Sequence, residues 1–143
     1  MAKILRIALF ALPLLFLLVS PVAASDADEA AVRAALENYF RGHATGDGAH
    51  HRKVFHPRSS LWWVRDGNLN ERSSEEYISR HKGEAPEDEA DRKRRIVFVD
   101  VTGEAAVAKI ELDYPGVLIT DYMSLLKIDG EWRIISKIFS SKR

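Results

Sequence analysis

Apolar positions recur at helical spacing in the first half of this chain and alternate in the second half. Val32, Ala35, Leu36, Tyr39, Phe40 and His43 share one stripe, which predicts a helix over 28–43. Ser25, Asp26 and Asp28 offer caps, and Asp26 and Glu29 have capping-box spacing. Glu37 and Arg41 pair across one turn on the opposite side, and Gly42 and Gly46 end the element. Asp47 caps a short second helix over 48–55, which Pro57 stops because the residue before proline avoids helical angles. A strand over 61–64 turns at Asp66-Gly67 into a short return through Leu69. Ser73 and Glu76 form a second capping box and open a third helix that closes at Gly83. The acidic stretch 84–91 contains Pro86 and reads as a loop.

Alternation then takes over. Strands are expected over 95–101, 105–114, 117–128 and 131–139, joined at Gly103-Glu104, Pro115-Gly116 and Asp129-Gly130. Such short connections make neighbouring strands antiparallel. The pattern predicts an α+β domain, a curved antiparallel sheet with three helices packed on one face.

With two-residue loops, one face collects Val97, Val99, Val101, Ala106, Ala108, Ile110, Leu112, Val117, Ile119, Met123, Leu125, Trp132, Ile134 and Ile138. The other collects Lys109, Glu111, Asp113, Thr120, Ser124, Arg133 and Lys137, with Tyr122, Leu126, Ile135 and Phe139 among them. The first face is the helix-covered interior. The same register sends Arg95 inward beside Leu112 and leaves the four outer apolar residues as a surface for a two-fold homodimer.

Asp121 breaks the inner face. Ile110 and Ile138 flank it across the sheet, Ile119 and Met123 lie along its strand, and Ser136 stands opposite Met123. A carboxylate in such surroundings has to be paired, hydrogen-bonded or protonated. Few polar groups in an apolar lining is the pattern of a ligand cavity. His51 falls between Val54 and Phe55 on the inward stripe of the second helix, and Tyr39 lies one turn before His43. Asp121 and His51 are therefore the candidate acid–base pair. Tyr39, Phe55, Trp62, Met123 and Ser136 are the candidate lining; Trp62 and Trp63 alternate, so one of the two faces in. The plainer alternative is that Asp121 satisfies backbone donors or an arginine and His51 is a core histidine.

Composition narrows the function further. The chain has 143 residues, with 21 Lys and Arg against 21 Asp and Glu, a balance that gives no reason to expect nucleic acid. There is no cysteine, hence no disulfide and no thiolate chemistry. His43, His50, His51 and His56 crowd one region without metal-ligand spacing, and neither a phosphate loop nor a dinucleotide fingerprint is present. No metal and no cofactor are expected. Lys3 and Arg6, an apolar run over 7–19 and the small residues Val22-Ala23-Ala24 form a signal-peptide pattern, too short for a membrane anchor. Cleavage near Ala24 would leave a single domain over 25–143 in the periplasm or outside the cell.

GHATGD (42–47), FHP (55–57), VTGEAAVAKIEL (101–112) and the stretch 121–139 resemble the putative lumazine-binding family of the nuclear transport factor 2-like superfamily, which also holds SnoaL-like cyclases and ketosteroid isomerases. The resemblance covers about 28–139. It implies a cone-shaped α+β barrel with a deep pocket, often dimeric through its outer sheet. Enzymatic relatives carry an acid on or near the strand after the second helix; here that strand reads Leu61-Trp62-Trp63-Val64, with no carboxylate before Asp66. Asp121 is similar in placement to the strand-borne acid of cyclase-like members. Two functions follow as expectations: a pocket protein that binds a small apolar or aromatic ligand without turnover, or a cofactor-free cyclase, isomerase or dehydratase using Asp121 and His51. A dimeric interaction module with a vestigial pocket is the third.

Overall fold

Acidic side chains at Asp26, Asp28 and Glu29 open the first helix, where they favour the positive end of its dipole. The computed structural model describes residues 26–143, so the leader expected over 1–24 lies outside them. In chain order the elements are α1 (Asp26–Thr45), α2 (Gly48–Val54), β1 (Phe55–Arg65), β2 (Asn68–Ser73), α3 (Ser74–Ile78), β3 (Lys93–Thr102), β4 (Ala105–Tyr114), β5 (Val117–Ile128) and β6 (Glu131–Lys142). The strands make one curved, unclosed sheet in the order β2-β1-β6-β5-β4-β3. Neighbours are antiparallel except β1 and β6, which run parallel. This is the expected α+β cone.

Local chemistry accounts for the boundaries. Asp47 accepts the Ala49 N–H at 2.8 Å and caps α2, and Ser73 accepts the Glu76 N–H at 3.2 Å and caps α3. Asp66-Gly67 and Asp129-Gly130 both have positive φ at two successive residues, the turn form that matches strand twist. Phe55 leaves the helix expected for it and becomes the first residue of β1, opposite Ile134. Pro57 is tolerated there because β2 pairs with β1 only from Ser60 onward.

The third helix is shorter than expected. Ser79, Arg80 and His81 tighten into turns on Glu75, Tyr77 and Ile78, and beyond them the backbone is used elsewhere: Gly48 N–H donates to the His81 carbonyl at 3.1 Å and Gly83 N–H to the Gly46 carbonyl at 2.8 Å. Those bonds tie the loop to the α1–α2 junction and carry His81 with it.

Val32, Leu36, Tyr39 and Phe40 of α1 are buried with Ala106, Ala108, Ile110, Leu112, Met123, Leu125 and Ile134 of the sheet. Each large apolar side chain contributes about 1.5–3 kcal/mol on burial, well above the propensity differences along the helix. Lys127 and Asp28, 2.7 Å apart, pin the start of α1 to β5.

All three expected loop registers occur: Thr102 opposite Ala105, Tyr114 opposite Val117 and Ile128 opposite Glu131. The assigned faces nevertheless fail in two places, because each outer partner of the hairpins carries one extra residue. In β6, Ile134 faces Leu125 and Ser136 faces Ser124, so Ile135 is bulged out of register. In β3, Ile96 faces Ile110 and Phe98 faces Lys109, so Val97 is bulged. Beyond each bulge the faces exchange. Ile138 is therefore outside, 54% exposed and opposite Tyr122, while Phe139 takes its place beside Asp121. Lys137 turns inward opposite Met123, and Ser136 turns outward. Val97 is exposed, and Arg94 rather than Arg95 lies opposite Leu112. Arg94 reaches both carboxylate oxygens of Glu89 at 2.6 and 2.7 Å and the Tyr114 hydroxyl at 3.0 Å, whereas Arg95 pairs with Glu111 on the outside.

Candidate functional site

Three elements meet at one carboxylate. The inner stripe of α1 presents Tyr39, β5 presents Asp121, and the bulge in β6 presents Lys137. Tyr39 O–H donates to Asp121 Oδ2 at 2.8 Å. Lys137 Nζ donates to the same oxygen at 3.1 Å and to the Tyr39 hydroxyl at 2.9 Å. Tyr39 and Asp121 are fully buried and Lys137 is 4% exposed. Ile110 and Phe139 flank Asp121 across the sheet. The acid is thus paired and hydrogen-bonded, one of the states its surroundings require, but by a lysine and a phenol.

The pairing is asymmetric. Both donors converge on Oδ2, and Asp121 Oδ1 is buried with no hydrogen-bond partner. The ammonium of Lys137 lies over three rings, with centroids at 5.4 Å for Tyr39, 5.4 Å for Tyr77 and 4.8 Å for Phe139. Burial, reinforced by the charge of Asp121, holds the Tyr39 phenol well above its ordinary range, so it acts as a hydrogen-bond donor.

His51 sits behind Tyr39. Its ring is fully buried, and neither nitrogen has a hydrogen-bond partner. Around it stand the rings of His81, Tyr77, Tyr39 and His43, with centroids at 4.3, 5.1, 5.2 and 5.2 Å. Burial first, then His81 and Lys137, push His51 down to about 3. Burial first, then His51 and Lys137, hold His43 well below its usual value; its Nε2 is 2.9 Å from the Tyr77 hydroxyl. Both are neutral imidazoles at neutral pH. No hydrogen bond or ion pair joins His51 to Asp121; Tyr39 touches both.

Among the other expected lining residues, Phe55 packs edge-on against Tyr39 and Tyr77, with centroids at 6.0 and 5.7 Å. Met123 is buried opposite Lys137. Trp62 is on the outer face, paired with Ile138 and Glu71. Trp63 faces in and stacks on Phe139, centroids 5.2 Å apart at 29°. Ser136 is removed from the interior by the bulge. Strand alternation misses Lys137 and Phe139, while Tyr77 of α3 and His81 of the loop after it complete the surroundings without having been singled out. One signal was present: Ile134-Ile135 and Ile138-Phe139 are apolar pairs out of phase with alternation, which marks a bulged strand.

Among the described residues, surface clefts of about 370 to 610 Å³ are lined by residues other than Tyr39, His51 and Asp121. Two of them share Trp63 and Phe139 as lining. Among the described residues no three His, Asp or Glu side chains are grouped to hold a metal ion. No described helix is long and apolar enough to cross a membrane.

Comparison with known proteins agrees with this architecture. The profile of the putative lumazine-binding family matches residues 27–140. A protein named aldolase FrzH from Cladobotryum sp. is 28% identical over 113 residues, 78% of this chain and 89% of that one. An NTF2-like protein of unknown function from Silicibacter pomeroyi DSS-3 superposes with a TM-score of 0.69 at 27% identity, covering 79% of this chain and 94% of that one. A second NTF2-like protein of unknown function, from Shewanella baltica OS155, gives 0.71 at 25% identity over 80% and 93%.

Proposed function

The chain belongs to the putative lumazine-binding family, and on that footing we propose that it takes up a small apolar or aromatic molecule against the Asp121–Tyr39–Lys137 cluster. The observation that carries this reading is Asp121 Oδ1. It is a buried carboxylate oxygen without a partner, set among Ile110, Phe139 and Met123. An unsatisfied buried acceptor costs about 1–3 kcal/mol, which a ligand N–H or O–H would recover. The ligand is accordingly a mostly apolar molecule with one donor and one oxygen, the donor for Oδ1 and the oxygen for Lys137. Native mass spectrometry of protein purified from its own cell envelope tests this. Co-purification of one small molecule, lost in Asp121→Asn, supports the reading; an empty protein whose melting point no small aromatic raises defeats it.

A second reading is a cofactor-free enzyme of the SnoaL-like kind. Asp121 would be the base, with Tyr39 and Lys137 as the donors that stabilise developing negative charge, and His51 acting through Tyr39. The resemblance to a protein named an aldolase favours carbonyl chemistry. Turnover of a carbonyl compound that Asp121→Asn abolishes, with a pH–rate profile set by one acid, would favour it over binding alone.

The reading includes export and pairing. The leader pattern over 1–24 supports release into the periplasm or medium. Phe98, Val107, Tyr122, Leu126 and Ile138 are exposed on the outer face of the sheet, which supports a two-fold homodimer through that face.

A further inference from the structure

We infer that Lys137 is a nucleophile that captures a carbonyl ligand as an imine. This rests on the small-ligand reading above and assigns the ligand's reacting group.

The lysine is placed as a structural ion-pair partner need not be. It reaches the interior only because β6 carries an extra residue at Ile135. Its ammonium touches one carboxylate and one phenol and otherwise faces rings. Asp121 supplies the second oxygen that proton traffic needs, since Oδ1 is free while Oδ2 holds Lys137. A buried lysine beside a base is the arrangement in which an amine becomes reactive toward carbonyl carbon.

The step balances within the cluster. Lys137 passes a proton to Asp121 Oδ2, leaving a neutral amine and a neutral acid. The amine lone pair attacks the carbonyl carbon and a C–N bond forms. The C=O π pair becomes a hydroxyl, protonated from Asp121 with Tyr39 donating a hydrogen bond. The C–O bond then breaks, the oxygen leaves as water with protons from the amine, and the product is a C=N⁺ iminium paired with the Asp121 carboxylate. One carbonyl is consumed and one water released. The cluster begins and ends with one positive and one negative charge, so no net charge is moved into the interior.

Access is one aromatic layer deep. The Lys137 ammonium lies 4.8 Å from the centroid of Phe139. Phe139, stacked on Trp63, lines the surface cleft of about 610 Å³ that also contains Arg65, Ser141 and Arg143, away from the outer-face residues Tyr122 and Ile138. Rotation of Phe139 joins that cleft to the amine. The Nε1 of Trp63 is also buried without a partner and is available as a donor along this route. The ligand class that fits is a flat aromatic aldehyde or ketone.

The test uses the intact protein with naphthaldehyde and sodium cyanoborohydride near neutral pH, followed by peptide mass mapping. Lys137 is expected to carry the naphthylmethyl group. Naphthalenemethanol, which has the same skeleton without the carbonyl, should protect it; at ten times its dissociation constant it lowers Lys137 labelling about tenfold. Labelling of exposed lysines such as Lys82 and Lys93 should be unaffected. If naphthalenemethanol raises the melting temperature but Lys137 stays unlabelled while Lys82 and Lys93 react, the imine is wrong and the ligand site stands. If neither compound raises the melting temperature and Lys137 stays unlabelled, the ligand reading falls and this inference with it. The mapping is done on the natural sequence, so a Lys137 variant that fails to fold does not affect the result.

Discussion

A methyl group added to Gly42 would meet Nε2 of His51 at 2.6 Å, with two further ring atoms at 2.6 and 2.8 Å. The absence of a side chain at Gly42 of α1 is what lets the Nε2 edge of the imidazole come so close to the helix. Alanine should gain about 1 kcal/mol over glycine inside a helix, yet here the ring has no room to retreat. Gly42→Ala is expected to lose about 1–3 kcal/mol in urea unfolding. In a His51→Ala background the same change should be neutral or stabilising. Equal losses in both backgrounds would mean that the ring is not the obstacle.

Lys137 and Asp121 should behave as a unit. Lys137→Met leaves a buried carboxylate without its cation, at a cost of about 3–5 kcal/mol. Adding Asp121→Leu to that variant removes the stranded charge and is expected to restore most of the loss, because apolar replacement of a buried pair is often near neutral. Denaturant midpoints of the two single variants and the double variant decide this. A double variant as unstable as the sum of the singles would contradict the coupling.

Acid should weaken the fold through its histidines. His51 is held down to about 3 and His43 well below 6.5, each chiefly by burial. Lys137, His43, His50, His81, Tyr39 and Tyr77 are the titratable groups facing His51. The unfolded chain protonates both imidazoles as pH falls through 6.5, while the folded chain does not. The unfolded state then binds more protons, so stability is complete above about pH 6.5 and declines toward about pH 3. The slope is about 1.4 kcal/mol per pH unit for each histidine kept neutral. Urea midpoints between about pH 6.5 and 5, where ordinary carboxylates stay ionised, should show this decline. His51→Gln should flatten it in part, by removing that histidine's share.

The outer face gives an assembly prediction. Tyr122, 45% exposed, and Ile138, 54% exposed, are neighbours across β5 and β6. The natural chain is expected to sediment as a dimer at micromolar concentration and Tyr122→Arg as a monomer. Being a surface change, the substitution should alter monomer stability by no more than about 0.5 kcal/mol. Monomeric sedimentation of the natural chain would remove the dimer.

Much of this architecture was legible in the sequence because it is written in local chemistry. The stripe of α1, the caps at Asp47 and Ser73, and the Asp-Gly turns each depend on residues within one turn of chain. So did the inward placement of Tyr39, His51 and Asp121. The partner of Asp121 was not legible, since strict alternation puts Lys137 outside and Ile138 within. One unpaired residue, Ile135, reverses that, and the only local sign of it is the pair of apolar dipeptides Ile134-Ile135 and Ile138-Phe139. His81 was missed for a similar reason: its position follows from backbone bonds between distant segments, Gly48 to His81 and Gly83 to Gly46. Trp62 and Trp63 could be separated only once β1 was seen to run parallel to β6.

Ile135 acts on its strand as a single inserted letter acts on a reading frame. Everything before it keeps its meaning, and everything after it is read on the opposite side. A strand that closed this bulge while keeping Ile135 would exchange an amine for a hydroxyl in the heart of the cone, without mutating either, whereas deletion of Ile135 itself would leave Lys137 inside. The presence or absence of the bulge in the final strand, more than its charged residues, is therefore where relatives of this protein should be searched for a change of chemistry.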